Sequence, residues 1–455
     1  MNEINSPTHK RLLLAMPWVI LFLFIQLSNE SIIQLLVPVM ADYYEVTKVK
    51  ISLIVTIGAI LFGIGGTIYS VLTDKFSMKQ LFIFGIITFS IGSLVGFLVH
   101  PWFMLLVISR VLQCTGAVCA TGCYIVLVTR YMPAHMQSKY IALSSAIFLL
   151  AAGLGTLIGA LISTYLTWKF ALLLPVITLV ALPSFVKYLP NDKRSGGNLD
   201  TVGALLVAVG VLFTILTITL QNYYCLALAI IILLIYYMYA KQHEKPFLDL
   251  ALLRIRGLKI TYLTVFLVFG IQYSILFMLP FIVRDIYMLS MFETGLLFLC
   301  ANAPALVSAM LTGRLVERFG RRNTFYLGWT LFFISILLFA ASIGGPLFMI
   351  WFAMFIFAIS NPLLYTGMVM AANSLLPEEK LGSGMGVFLL MMGWGNSVFV
   401  AVIGLLLTNR IVDVQIMPLN SLFDDASSYS NLFLILAVLF CIVWLLYKYI
   451  HGKRE

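Results

Sequence analysis

The sequence predicts an all-α polytopic membrane protein that crosses the bilayer about fourteen times. Three observations carry that prediction. Of 455 residues, 62% are hydrophobic and only 10% charged, against about 25% charged in a soluble domain. Apolar runs close to the roughly 20 residues needed to cross a bilayer recur from end to end. Lys and Arg gather in alternate short loops, the pattern of a topology signal.

The first span, 12–40, is long, polar-punctuated and without a small-residue cleavage site, so it reads as a transmembrane helix and not as a cleaved signal peptide. It carries Glu30, the one acid deep inside an apolar run. Burying a carboxylate in hydrocarbon costs a few kcal/mol or more, and chains that keep one use it for protonation, ion coupling or substrate contact. Gln26, Glu30 and Gln34 stand four residues apart and share one helix face, with Asn29 beside them. That polar stripe should face the bundle interior or a water-filled cavity.

Spans 50–72 and 80–99 follow, joined by a short loop from Ser70 to Lys79 that holds Asp74 and Lys75. Span 102–129 contains Arg110, the only basic residue deep inside a span, followed by Gln113 and Gly116. Span 140–164 contains Gly153, Gly155 and Gly159, which permit close helix approach. Span 168–189 completes the first six. Asp200 opens span 201–220, either as a helix cap or as a functional acid, and a short span 223–240 comes next. The remaining six are 260–283, 293–312, 324–343, 346–375, 382–408 and 430–449. Between the second and third of these, the loop from Gly313 to Arg322 repeats the earlier one: Glu317 is followed by Arg318 and Arg321, preceded by Arg314, and a leucine stands two residues before the acid in both loops.

With Met1 inside, the inner loops and tails hold 22 of the 28 basic residues, and the outer loops hold Lys48, Lys50, Lys169, Arg284 and Arg410. That asymmetry places both termini in the cytoplasm. The repeat divides the chain into a six-helix bundle over 1–190, two inserted helices with flanking loops over 191–258, and a second six-helix bundle over 259–455. Repeated halves around a central site characterise secondary transporters.

The formal charge of +10 does not point to nucleic acid, because the bases are spread over short loops. All six cysteines lie in apolar segments without clustered His or acids, which predicts free packing thiols and neither disulfide nor metal. The five histidines are scattered singly, which argues against a membrane enzyme, and no phosphate-binding loop is present to drive an ATP-powered pump.

The loop at Gly313 to Arg322 closely resembles the GxLxDRxGRR signature of the major facilitator superfamily, with Glu317 for Asp; the loop at Ser70 to Lys79 is a degenerate copy. Arg110, Gln113 and Gly116 resemble the superfamily's RxxQGxG signature, with Cys114 replacing a glycine. Gly153 to Ala160 resembles the antiporter signature GxGPxxGG, with Thr156 for Pro. The segments Leu199 to Gly203 and Pro246 to Leu250 match the fourteen-helix drug:proton antiporter branch, and Asn29, Glu30 and Pro38 are similar to the first helix of its tetracycline efflux pumps of Gram-positive bacteria.

The resemblance implies a major facilitator fold and export of drugs or other amphipathic molecules, tetracycline-like or multidrug, driven by the proton gradient with no cofactor. It implies a bacterial cytoplasmic membrane and a monomer, with protons and a small amphipathic, in one form cationic, substrate as partners. It assigns Glu30 and Arg110 to proton coupling, and Asp74, Lys75, Lys79, Arg314, Glu317, Arg318 and Arg321 to a cytoplasmic gate. Gly153, Gly155 and Gly159 would restrict leak, with Asp200 auxiliary. Expected polar and aromatic cavity residues are Gln26, Asn29, Glu30 and Gln34 from the first half and Gln272, Tyr273, Asn302, Asn361, Tyr365 and Asn396 from the second. Asn396 stands where the tetracycline pumps carry a second membrane acid, which weakens the case for tetracycline–metal exchange. The alternatives are an exporter or flippase of lipid-like molecules or fatty acids, and a non-transporting membrane sensor.

Overall fold

The computed structural model describes residues 7–191, 200–243, 246–249, 252–377, 380–409 and 426–451. Arg410 and Leu199 therefore lie outside the described residues. Among those described, 13 helices are long and apolar enough to cross a membrane, and no strand occurs.

The first set comprises α1 (Pro7–Tyr43), α2 (Lys48–Leu72), α3 (Met78–Leu98), α4 (Phe103–Tyr131), α5 (Ala134–Tyr165), and a 3-10 segment Trp168–Ala181 that runs into α6 (Leu182–Tyr188). Pro175 inside the 3-10 segment cannot donate a backbone hydrogen bond. Its own carbonyl is supplied by hydroxyls instead: Thr178 Oγ1 donates to it at 2.6 Å and Ser90 Oγ of α3 at 3.5 Å. This is how irregular backbone survives at membrane depth. The inserted pair is α7 (Thr201–Leu220) and α8 (Tyr223–Gln242). The last set comprises α9 (Arg256–Asp285), α10 (Met291–Ser342), α11 (Leu347–Leu375), α12 (Leu381–Thr408) and α13 (Ala426–His451).

The expected spans 293–312 and 324–343 are two helices that meet at a kink within one continuous stretch, α10, so the fourteen expected spans lie on thirteen helical stretches among the described residues. The 52 residues of α10 would extend about 78 Å at 1.5 Å per residue, far more than the roughly 30 Å of a hydrocarbon core. The chain turns at Gly320, whose φ of 79° and ψ of 160° leave the helical region. Only glycine adopts this backbone without strain. The expected loop is thus mostly helix, with one break: charged residues in water do not by themselves interrupt a helix.

The loop before α3 is closed by a capping box. Ser77 Oγ accepts from Gln80 N at 3.2 Å, and Gln80 Oε1 accepts from Ser77 N at 3.1 Å. Helices α2 and α12 pack together, as do α5 with α10 and α1 with α5. Helix α7 packs on α8 and on both α2 and α12, while α8 lies outermost. Trp394 Nε1 of α12 donates to Thr214 Oγ1 of α7 at 3.1 Å, which fixes the inserted pair against that seam.

Candidate functional site

The centre of the site is an ion pair between α1 and α4. Arg110 Nη2 donates to Glu30 Oε2 at 2.7 Å. The Arg110 side chain is 2% exposed and that of Glu30 21%, so the guanidinium is sealed while the Glu30 side chain is only partly covered. A buried pair holds only when its remaining donors and lone pairs are also met. Arg110 Nη1 donates to Gln113 Oε1 one turn along, and Gln113 Nε2 donates to Ser93 Oγ of α3 at 2.7 Å. Cys114 Sγ lies 3.8 Å from Glu30 Oε1.

Two close approaches make room for the pair. A Cβ on Gly58 of α2 would stand 2.8 Å from Glu30 Oε2 and 3.4 Å from Arg110 Nη2. A Cβ on Gly92 of α3 would meet Gln113 N at 2.4 Å. Neither glycine was singled out in the sequence; a glycine in an apolar run carries no mark of the charge it faces.

From the second set, Tyr273 of α9 lies near the pair and near Gln34 of α1. Glu30, Arg110, Gln34 and Tyr273 therefore converge from three helices. The other expected cavity residues do not all join them. Gln26 is buried and accepts from Thr121 Oγ1 at 2.9 Å. Asn29 is fully buried beside Glu30, with neither amide atom bonded. Gln272 is half-buried on α9. Asn302 Nδ2 is spent on Phe298 O at 2.8 Å, and half-buried Asn361 leaves its Oδ1 unbonded. Tyr365 is exposed, with its ring against Phe269 and Phe388. With its amide nitrogen turned to the neighbouring carbonyls, Asn396 donates to Phe269 O at 2.9 Å and Met392 O at 3.1 Å.

The glycines of α5 act by contact. A Cβ on Gly155 would lie 2.9 Å from Ser28 Cα of α1, one on Gly159 3.0 Å from Ile32, and one on Gly153 3.1 Å from Leu299 of α10. Asp200 caps α7 by accepting from Gly203 N at 2.7 Å, and also accepts from Tyr239 Oη and Phe247 N at 2.8 Å each. It thereby ties both inserted helices to the following loop.

In the expected gate, Asp74 pairs with Arg130 of α4 and not with Lys75 or Lys79. Arg130 Nη1 also donates to Thr73 O at 3.1 Å. Lys75 is exposed, and Lys79 meets the end of the first set through its backbone, N to Pro190 O at 3.1 Å. Arg314, Glu317, Arg318 and Arg321 are all exposed, and Glu317 has no ion-pair partner among the described residues. The charges that join the two sets lie at the opposite end of the bundle. Lys48 Nζ donates to Asp285 Oδ2 at 3.1 Å and to Tyr429 Oη at 2.6 Å. Arg284 Nη1 donates to Asp42 Oδ2 at 2.6 Å and to Pro38 O at 2.7 Å. In the sequence Lys48 and Arg284 register only as exceptions to the charge bias.

The sequence profile of the Major Facilitator Superfamily matches residues 19–253 and 261–454. The chain belongs to the major facilitator superfamily. It is a multi-pass membrane transporter of that superfamily. It is 23% identical over 384 residues to the riboflavin transporter RibZ of Clostridioides difficile, with 82% of this chain and 84% of that protein covered. It is also 23% identical over 414 residues to MdtD of Escherichia coli O6:H1, provisionally named for multidrug resistance, covering 86% of this chain and 85% of MdtD. Solved major facilitator structures share the fold. The nucleoside transporter NupG superimposes with a TM-score of 0.67 at 12% identity, covering 96% of this chain and 99% of NupG. A bacterial homologue of the lysosomal transporter Spinster, inward-facing and unoccupied, gives 0.65 at 13% identity, covering 97% of each chain.

Proposed function

We propose that this protein is a proton-coupled antiporter that exports amphipathic small molecules, drugs among them, by alternating access across a bacterial cytoplasmic membrane, with both termini inside. The observation that carries this reading is the asymmetry of the Glu30–Arg110 pair: the Arg110 side chain is sealed while the Glu30 side chain stays partly exposed. A carboxylate so held can be reached by a proton or by a cationic group, and each displaces the other. Competition for one acid exchanges the two. The Lys48–Asp285 and Arg284–Asp42 contacts across one end of the bundle support a state closed there and ready to open when the sets rock. The exposed acid and bases around Glu317 supply charges that can pair in the opposite state.

The test uses purified protein in liposomes with an inward-acid gradient and ethidium as an amphipathic cation. Ethidium-dependent proton movement is expected for the native protein and not for Glu30→Gln. Equal coupled flux in both would refute the role of Glu30. The resemblance to RibZ supports a second substrate, a planar flavin, and riboflavin in the same assay checks it.

A further inference from the structure

Beside Arg110, α1 to α4 and the 3-10 segment line a small cavity of about 10 Å³, and Glu30 is not part of its lining. That is room for about one water. Its polar lining is Ser93, Ser109, Arg110 and Gln113, and its apolar lining includes Met40 and Leu106. Arg110 Nε is fully buried and has no hydrogen-bond partner. Ser93 Oγ accepts from Gln113, so its own proton remains to be donated. Ser109 Oγ donates to Leu106 O at 2.7 Å, so its lone pairs remain to accept. One water here would accept from Arg110 Nε and Ser93 and donate to Ser109, the usual complement for a buried water. A polar lining of this kind distinguishes the cavity from the apolar voids that stay dry.

We propose that this cavity is a single-water site that holds the Arg110 guanidinium when Glu30 is neutral. The role rests on the antiport reading, in which Glu30 takes up a proton during the cycle. Arg110 cannot give up its own charge. When the carboxylate is neutralised, a cation 2% exposed is left without its counter-charge, which is costly in a low-dielectric interior. Gln113 and the water then supply the acceptors that keep it in place, so that it recaptures Glu30 on deprotonation. Arg110 is thereby a cation held in one place by two sets of partners, and Ser93 and Ser109 are the positioning residues of the second set.

Stability of the full-length protein in detergent tests this without any transport measurement. Glu30→Gln imitates the neutral acid, and Ser109→Val fills the cavity and removes its acceptor. Ser109→Val is expected to lower the unfolding midpoint several degrees further in the Glu30→Gln background than in the native one, because filling the site matters most when Glu30 is neutral. Equal losses in the two backgrounds would overturn the proposal. Ser109→Ala, which leaves the space open, is expected to show the same sign with a smaller loss, and it decides the matter if the valine variant does not fold. Hydroxyl-radical labelling provides the second reading. On X-ray radiolysis the trapped water yields hydroxyl radical in place, so Met40 and Leu106 are expected to be oxidised in the native protein and much less in Ser109→Val, whose site holds no water. Absence of labelling in the native protein would also overturn the water site. Failure of ethidium coupling with non-additive stability would count against the antiport reading alone.

Discussion

Lys48 at the start of α2 and Asp285 at the end of α9 stand 237 residues apart in the chain and 3.1 Å apart in space. Their contact joins the first helical set to the last. Tyr429 accepts from the same ammonium and donates to the same carboxylate at 3.1 Å, while the rings of Phe281 and Tyr429 flank Nζ at 5.1 and 4.9 Å. The site is partly desolvated, with side-chain exposures of 24% and 15%.

Lys48→Met should loosen this end. A partly buried charged contact of this kind contributes about 1.5–3 kcal/mol, which shifts a two-state equilibrium about tenfold or more. Spin labels on the exposed Lys50 and Met288 would read it. A single short distance is expected in the native protein and an added longer one in Lys48→Met. Identical distance distributions would show that the contact does not hold the end closed.

Gly58→Ala should damage the pair without touching a charged residue. The new Cβ falls 2.8 Å from Glu30 Oε2, so the carboxylate must move. Overpacking of this type costs about 1–3 kcal/mol. Proton-coupled ethidium flux is expected to fall about tenfold while the protein still folds in detergent. Unchanged flux would mean that Glu30 has slack on that side.

Arg110→Met should lower thermal stability, because it leaves Glu30 without its cation. Breaking a buried pair by removing one partner costs about 3–5 kcal/mol. The double variant Glu30→Gln with Arg110→Met should recover most of that loss while transport stays absent. Melting midpoints in detergent check it; a double variant as unstable as the sum of both singles would show that the two side chains act independently.

Asn396→Asp would place an acid within α12, and it should destabilise the protein. The Asn396 amide donates to two backbone carbonyls, and an ionised carboxylate donates to neither. The loss should be about 1–3 kcal/mol. It should grow as pH rises through the range where the acid ionises, since only its protonated form can donate. A pH series of melting midpoints tests the sign; a variant stabilised at higher pH would contradict it.

Hydropathy is a local property, so the apolar runs alone located the membrane-length segments, and the single acid and single base deep inside them named Glu30 and Arg110. The motif spacing pointed to the family. Membrane helices are apolar nearly all round, however, so the sequence holds little information on which face meets which neighbour. Tertiary structure decided that Asp74 meets Arg130 and not its adjacent lysines. It also decided that Asn396 is consumed by backbone carbonyls, and that Gly58 leaves the space in which Glu30 meets Arg110. Whether Glu317 sits in a loop or a helix was likewise set by one backbone turn at Gly320, because loop-like composition does not stop a helix. Pairing of charges distant in sequence depends on how the bundle assembles, and that assembly places the sealed guanidinium of Arg110 against Glu30.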